Sequence, residues 1–99
     1  MENPLYLVML EKSKTYNRMT KKIVTEHVEN LRRLDDEGRL VFCGVLKGWP
    51  GMAGMYILNA ASKEEAEALC AQEPLVAGGY ASYRLAAVQA ANRENNYLL

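Results

Sequence analysis

The chain has 99 residues, with 12 basic and 12 acidic side chains and a formal net charge of zero. A chain of this length builds one domain around one core, and its hydrophobic content of 49% is typical of a globular protein. Balanced charge provides no field that would hold a polyanion, which argues against nucleic acid and against an anionic membrane surface as partners. We therefore expect a single domain over residues 1–99.

The cysteines and the first residues indicate the cellular compartment. Cys43 and Cys70 lie in no metal-binding or redox spacing, and two cysteines are too few for a disulfide framework. The start, MENPLYLVML, has an acidic residue and a proline where a signal peptide carries basic residues, and no apolar run approaches the ~20 residues of a membrane span. These patterns predict a soluble, cytoplasmic protein with reduced thiols.

The first two elements are a strand and a long helix. The run LYLVML, residues 5–10, is apolar at every position, which predicts a central strand covered on both faces. Residues 20–38, TKKIVTEHVENLRRLDDEG, have helical periodicity, and Gly38 supplies a left-handed C-cap. At roughly 100° per residue, the helix directs one apolar arc of about 140° towards the core. That arc contains Ile23, Val24, His27, Val28, Leu31 and Leu34.

The rest of the chain alternates between strands and one more helix. Residues 40–46 and 52–60 are predicted strands, separated by the turn GWPG. Ser62-Lys63-Glu64-Glu65 is a capping box that begins a second helix, which ends near Glu73 because Pro74 follows. Gly78-Gly79 forms a turn before a fourth strand, residues 80–88, and a polar tail covers residues 90–99.

The predicted order is β-α-β-β-α-β, an α+β chain with the ferredoxin-like arrangement. In this arrangement two helices cover one face of a four-stranded antiparallel sheet. The apolar side chains on the other face then require a second cover, and another copy of the chain is the simplest one. We therefore expect a homodimer with the open sheet faces in contact.

His27 is the only histidine and the main candidate for chemistry. Its position inside the apolar arc has two interpretations. It is either a core histidine that bonds to a backbone carbonyl, or a general acid or base that lines a cleft between helix and sheet. A metal site is disfavoured, since one histidine without Cys or Asp at ligand spacing is a weak signal.

An acid–base histidine needs a carboxylate that orients it. Asp36 is nine residues further along the same helix, roughly 13 Å away, and points elsewhere. Glu73 lies at the end of the second helix, which should run antiparallel to the first, so we expect it near His27. Glu11, at the exit of the first strand, is the second candidate. The alternative for Glu73 is a solvated helix end, where the macrodipole disfavours a negative charge.

Aromatic side chains could form the walls of such a cleft. Trp49 either overhangs the cleft as a lid or covers a sheet edge. Four strand tyrosines could donate a phenol hydrogen bond to a ligand, although tyrosines in strands often only pack. These are Tyr6, Tyr56, Tyr80 and Tyr83. As binding residues we select Trp49, Tyr6 and Tyr80, together with Glu11.

In order, these segments resemble the YciI-like (YCII-related) family. The resemblance covers Leu5 to about Val88 and rests on the LYLV strand, the helix EHVENLRRLDDEGRL, and the segments GMAGMYIL, SKEEAEAL and EPLVAGGY. It implies a ferredoxin-like dimer, often called a dimeric α+β barrel, with a proposed histidine–aspartate dyad. His27 matches the family histidine. The family's Asp-Pro pair is Glu73-Pro74 here, so the carboxylate is longer by one methylene.

The resemblance also implies an activity. The clearest enzymatic assignment within the family is the removal of HCl from a chlorinated hydroxyhydroquinone, without a cofactor, during the degradation of chlorinated aromatics. In that interpretation His27 is the general acid/base, Glu73 holds its tautomer, and aromatic side chains bind the ring by stacking. Three alternatives stay open: a muconolactone-type isomerase on the same dimeric scaffold, a small-molecule binding module, and a purely structural dimer.

Overall fold

A computed structural model describes residues 4–99. Residues 1–3, part of the segment compared above with a signal peptide, lie outside it. The strands are β1 (Leu5–Lys12), β2 (Leu40–Val45), β3 (Met52–Asn59) and β4 (Ala81–Val88). The helices are α1 (Lys21–Asp36), α2 (Lys63–Gln72) and α3 (Pro74–Ala77), and 3-10 turns lie at Tyr16–Arg18 and Arg93–Leu98.

The four strands form one sheet in the order β2-β3-β1-β4, and neighbouring strands are antiparallel. The predicted α+β, ferredoxin-like arrangement is confirmed. Each helical crossover skips one strand, so α1 links β1 to β2 across β3, and the α2–α3 segment links β3 to β4 across β1. β1 continues two residues beyond its predicted end, because Glu11 and Lys12 pair with Ser82 and Ala81 of β4.

Helix α3 was not predicted from the sequence. Pro74 ends α2 as expected, but it also occupies the first position of a new short helix, where its missing N–H costs nothing. Glu73 is the N-cap of this helix. The same proline therefore ends one helix and begins the next, and this turn of the chain directs the Glu73 carboxylate.

Helix α1 begins at a Thr20 cap, whose side chain accepts a hydrogen bond from the Ile23 amide. The prediction that Val24 and Val28 face the core is wrong, since they are 44% and 45% exposed. Leu34 is buried, as predicted. Asn30, which lies outside the predicted apolar arc, is buried as well. The sheet and α3 cover one side of the predicted arc, and the two valines lie on its uncovered side.

The core lies between the helices and the sheet. Alternation along β1 and β3 directs Val8, Leu10, Tyr56 and Leu58 towards the helices. The helices contribute Leu34, Leu69, Cys70 and Leu75 to this cluster, and Ala81 of β4 is its remaining buried member. Within residues 4–99, no helix is both long enough and apolar enough to cross a membrane.

The second face of the sheet, which we call the open face, carries apolar side chains without a helix above them. The prediction that β1 is covered on both faces is therefore wrong within one chain. Phe42 is 59% exposed, and Trp49, in the turn after β2, is 55% exposed. The half-buried apolar members of the open face include Leu7, Met9 and Ile57.

Candidate active site

His27 and Glu73 are in contact although 46 residues separate them in the chain. His27 lies in the middle of α1, and its Nδ1 bonds to Oε1 of Glu73 between α2 and α3. The Glu73 side chain is fully buried, whereas the His27 side chain is 23% exposed. The pair thus places a buried carboxylate behind a histidine that reaches solvent.

The backbone holds the Glu73 carboxylate in place. Its second oxygen, Oε2, accepts hydrogen bonds from the amides of Leu75 at 2.6 Å and Val76 at 3.3 Å, at the start of α3. The carboxylate therefore lies at the favourable, N-terminal end of a helix, and the alternative of a solvated helix end is wrong. One oxygen of the carboxylate caps α3, and the other orients His27.

This contact determines which nitrogen of His27 is available. A carboxylate accepts hydrogen bonds and does not donate them, so Nδ1 carries the proton that binds Glu73. In the neutral imidazole, Nε2 is then an acceptor. A carboxylate on the other nitrogen also stabilises the imidazolium once Nε2 takes up a proton. This is the arrangement that general acid–base chemistry requires.

His27 lines a cavity of about 180 Å³ between α1, α3 and the sheet. A cavity of about 150 Å³ is sufficient to hold a benzene ring, so the space suits one substituted six-membered ring. Its polar side chains are His27, Tyr16, Tyr56 and Cys43. The walls are otherwise apolar or glycine, formed by Leu10, Leu31, Gly44, Val45, Ala53, Gly54, Met55 and Leu75.

Small residues on β2 and β3 form one wall of this space. A Cβ on Gly54 would lie 2.7 Å from the backbone oxygen of Gly44, so the close approach of the two strands requires glycine at 54. The register between β1 and β3 shifts after Leu10, which leaves Ala53 as the extra residue of a bulge beside the cavity.

Tyr56 is the tyrosine that lies at the core of the site. It is 3% exposed, pairs with Val8 on β1 and Cys43 on β2, and lines the cavity. Burial raises the pKa of Tyr56 well above its ordinary value, and the neighbouring Cys70 and Glu73 raise it further. Sequence reasoning named Tyr56 among four tyrosines but did not select it. Its alternation with Leu58 on the helix-facing side of β3 was the signal that could have singled it out.

Four residues selected from the sequence lie away from this cavity. Glu11 pairs with Ser82, and the alternation of β1 directs it to the open face, so Glu73 and not Glu11 contacts His27. Trp49 lines a separate hollow with Leu7 and Met9 on the open face, and it is not a lid of the cavity.

The two selected tyrosines pack elsewhere. Tyr6 is 6% exposed and belongs to a small cluster with Ala60 and Ala66. This cluster lies near the start of β1, whereas the cavity lies near its end, at Leu10. Tyr80 follows the turn after α3, where its amide bonds to the Leu75 carbonyl and its ring lies against Gly78. Strand alternation places residues on faces, but the sequence does not say which end of a face holds the cavity.

A comparison with known families decides the affiliation of the chain. The YCII-related domain matches residues 5–89. The chain belongs to the YCII-related family. The family resemblance inferred from the ordered segments is thus confirmed, and no curated protein matches the chain.

Among solved structures, the chain is similar to 5-chloro-2-hydroxyhydroquinone dehydrochlorinase from Burkholderia phenoliruptrix AC1100, in complex with 2,5-dihydroxybenzoquinone. The two share 14% sequence identity and superimpose with a TM-score of 0.73, over 93% of this chain and 99% of the other. This likeness establishes a shared fold. The enzyme that shares it is a lyase with a small hydroxylated quinone bound.

Proposed function

We propose that this YCII-related protein is a cofactor-independent lyase that removes HCl from a chlorinated hydroxyhydroquinone, with His27 as general acid/base. The observation that carries the proposal is the position of His27, held by a buried carboxylate at the wall of a ring-sized cavity. Similarity of fold to a dehydrochlorinase supports the same interpretation.

The proposed reaction needs one group that both takes and returns a proton. Nε2 of His27 takes the proton of a phenolic hydroxyl and returns it to the ring carbon that bears chlorine, which gives a ketone tautomer. Loss of a second phenolic proton then expels chloride and leaves a hydroxyquinone, so that one H⁺ and one Cl⁻ leave in total. Glu73 keeps Nε2 directed at the ring and stabilises the imidazolium between these transfers.

The cavity supplies the binding part of this function. Apolar walls such as Leu31 and Leu75 contact the faces of a ring and exclude water from it. The aromatic wall is Tyr16 and Tyr56, and not the tyrosines selected from the sequence. A small hydroxylated aromatic is therefore the substrate class that the lining supports.

We also propose that the chain is a homodimer through the open face. Phe42 and Trp49 are more than half exposed there, beside the half-buried Met9 and Ile57. Contiguous apolar surface of this kind marks an interface in soluble proteins. A second copy related by a two-fold axis covers the same patch on both chains.

Chloride release from 5-chloro-2-hydroxyhydroquinone tests the function, with wild type and His27→Ala measured side by side. The uncatalysed loss of chloride is subtracted, and circular dichroism confirms that the variant is folded. We expect release by wild type and a reduction of about 10²–10⁴-fold in His27→Ala, the usual contribution of a general acid/base.

Other outcomes assign the protein to a different class. Equal release by both proteins would keep the reaction and remove His27 from it. No release above background would refute the lyase. Binding of 2,5-dihydroxybenzoquinone without turnover, weakened in His27→Ala, would instead identify a binding module.

A further inference from the structure

Tyr56 is the buried polar side chain of the cavity that the acid–base pair does not use. It lies on β3, in the middle of the sheet, with 3% of its surface exposed. It shares the cavity wall with His27 and comes from a different element, so the two side chains approach a bound ring from the sheet and from α1.

The neighbour of the Tyr56 hydroxyl on α2 is a weak acceptor. It is the thiol of Cys70, a fully buried residue whose proximity helps to raise the pKa of Tyr56. Burial raises the pKa of Cys70 to about 11, so the sulfur stays a neutral thiol, which is a poor acceptor. A phenol O–H in this position gains by turning to a ligand oxygen, above all to one that carries negative charge.

The surroundings of Tyr56 also keep its proton in place. Burial is the main cause of its raised pKa, and the Glu73 carboxylate disfavours a second negative charge nearby. Tyr56 therefore keeps its proton near neutral pH and is a hydrogen-bond donor there. It cannot replace His27 as base, so the two groups have complementary roles.

We infer that Tyr56 is a second catalytic residue, which donates a hydrogen bond to the substrate oxygen that becomes negative when His27 removes a phenolic proton. This inference rests on the proposed function. The O–H bond of Tyr56 is not broken: the proton stays on the phenol while the substrate oxygen passes from hydroxyl to oxyanion to ketone. The donor stabilises the oxyanion more than the neutral hydroxyl, and this difference lowers the barrier.

The test compares Tyr56→Phe with the matched control Tyr83→Phe. Tyr83 packs against the same core from β4, opposite Leu10, and does not belong to the described lining of the cavity. Both variants keep the ring and lose one hydroxyl. Three quantities are measured for each: kcat/KM for chloride release, its pH dependence, and the calorimetric Kd for 2,5-dihydroxybenzoquinone. A thermal melt shows that each variant is folded.

We expect kcat/KM to fall about 10²-fold in Tyr56→Phe, as for loss of one donor to an oxyanion, and to stay within about twofold in Tyr83→Phe. The pH midpoint of activity should be the same in Tyr56→Phe as in wild type, because the raised pKa of Tyr56 keeps its hydroxyl protonated near neutral pH. Full activity in Tyr56→Phe would overturn the inference and leave the lyase standing.

The calorimetric arm separates this inference from the proposed function. If wild type binds the quinone but releases no chloride, the lyase is refuted. Weaker binding by Tyr56→Phe alone would then support Tyr56 as donor to a ligand oxygen. Unchanged binding would overturn that role, and a wild type that neither releases chloride nor binds the quinone would overturn both proposals.

Discussion

The two faces of the sheet are both apolar, yet only one holds a candidate active site. On the helix-covered face, a fully buried carboxylate fixes His27 beside a cavity. On the open face, Trp49 and Arg84 line a hollow of about 250 Å³ with apolar neighbours, but none of the charged side chains described there is buried. The larger hollow is thus the poorer place for chemistry on physical grounds. A site needs polar groups that the fold orients, and cavity volume alone does not supply them.

The helix-covered face depends most strongly on Glu73. Glu73→Ala removes the α3 cap and leaves the buried amide of Leu75 without its acceptor, while the Val76 amide keeps its bond to the backbone carbonyl of residue 73. We expect a loss of about 2–4 kcal/mol in the free energy of unfolding, from the cap and the unsatisfied donor together. Urea denaturation followed by circular dichroism measures it.

Glu73→Gln separates the two roles of this side chain. An amide oxygen can still cap α3, so stability should fall by less than in Glu73→Ala, while chloride release should fall as the negative charge beside His27 is lost. The matched surface control is Glu67→Gln, on the exposed side of α2. Equal destabilisation by Glu73→Ala and Glu67→Gln would contradict the buried cap.

A charged substitution on the open face should weaken the proposed homodimer. Ile57→Asp places a charge at the centre of the proposed interface, and we expect the dimer Kd to rise about 10²-fold or more, since an unpaired buried charge costs several kcal/mol. Multi-angle light scattering over a dilution series measures this change. Val28→Asp, on the exposed side of α1, is the control and should leave the mass unchanged. A monomeric wild type would refute the interface.

Two alanine-to-leucine substitutions compare the cavity beside His27 with the hollow on the open face. Ala53→Leu fills the cavity beside His27, and Ala86→Leu adds the same atoms beside Trp49 on the open face. We expect the Kd for 2,5-dihydroxybenzoquinone to rise about tenfold or more in the first, because about three carbon atoms occupy ligand space, and to stay constant in the second. Calorimetry decides between them. The opposite pattern would move the ligand to the open face.

The smallest expected effect is a difference between Cys43 and Cys70 in their rate of modification. Burial raises the pKa of Cys70 to about 11, so at pH 8 only about one Cys70 in a thousand is a thiolate, the reactive form. Cys43 is exposed on β2. Iodoacetamide at pH 8 should therefore modify Cys43 long before Cys70, as followed by mass spectrometry of the peptides. Modification of both cysteines at one rate would show that the core around Cys70 opens readily.

Local pattern was sufficient to predict most of the fold. The β-α-β-β-α-β order follows from the apolar runs, the capping box at Ser62 and the helix stop at Pro74. The antiparallel direction of the two helices in this order predicts that Glu73 approaches His27. These features succeed because a strand end or a helix cap depends on neighbouring residues, and because chain connectivity restricts which helix ends can meet.

The sequence by itself determined which residues share a strand face or a helix stripe, and it singled out His27 with Glu73. Only the tertiary structure decided where the cavity lies, that Tyr56 and not Tyr6 or Tyr80 lines it, and that Val24 is exposed. The periods of strand and helix fix the relative direction of side chains, but the bulge at Ala53 and the packing of α1 fix where a cavity opens. Those depend on close contacts between residues that are distant in the sequence.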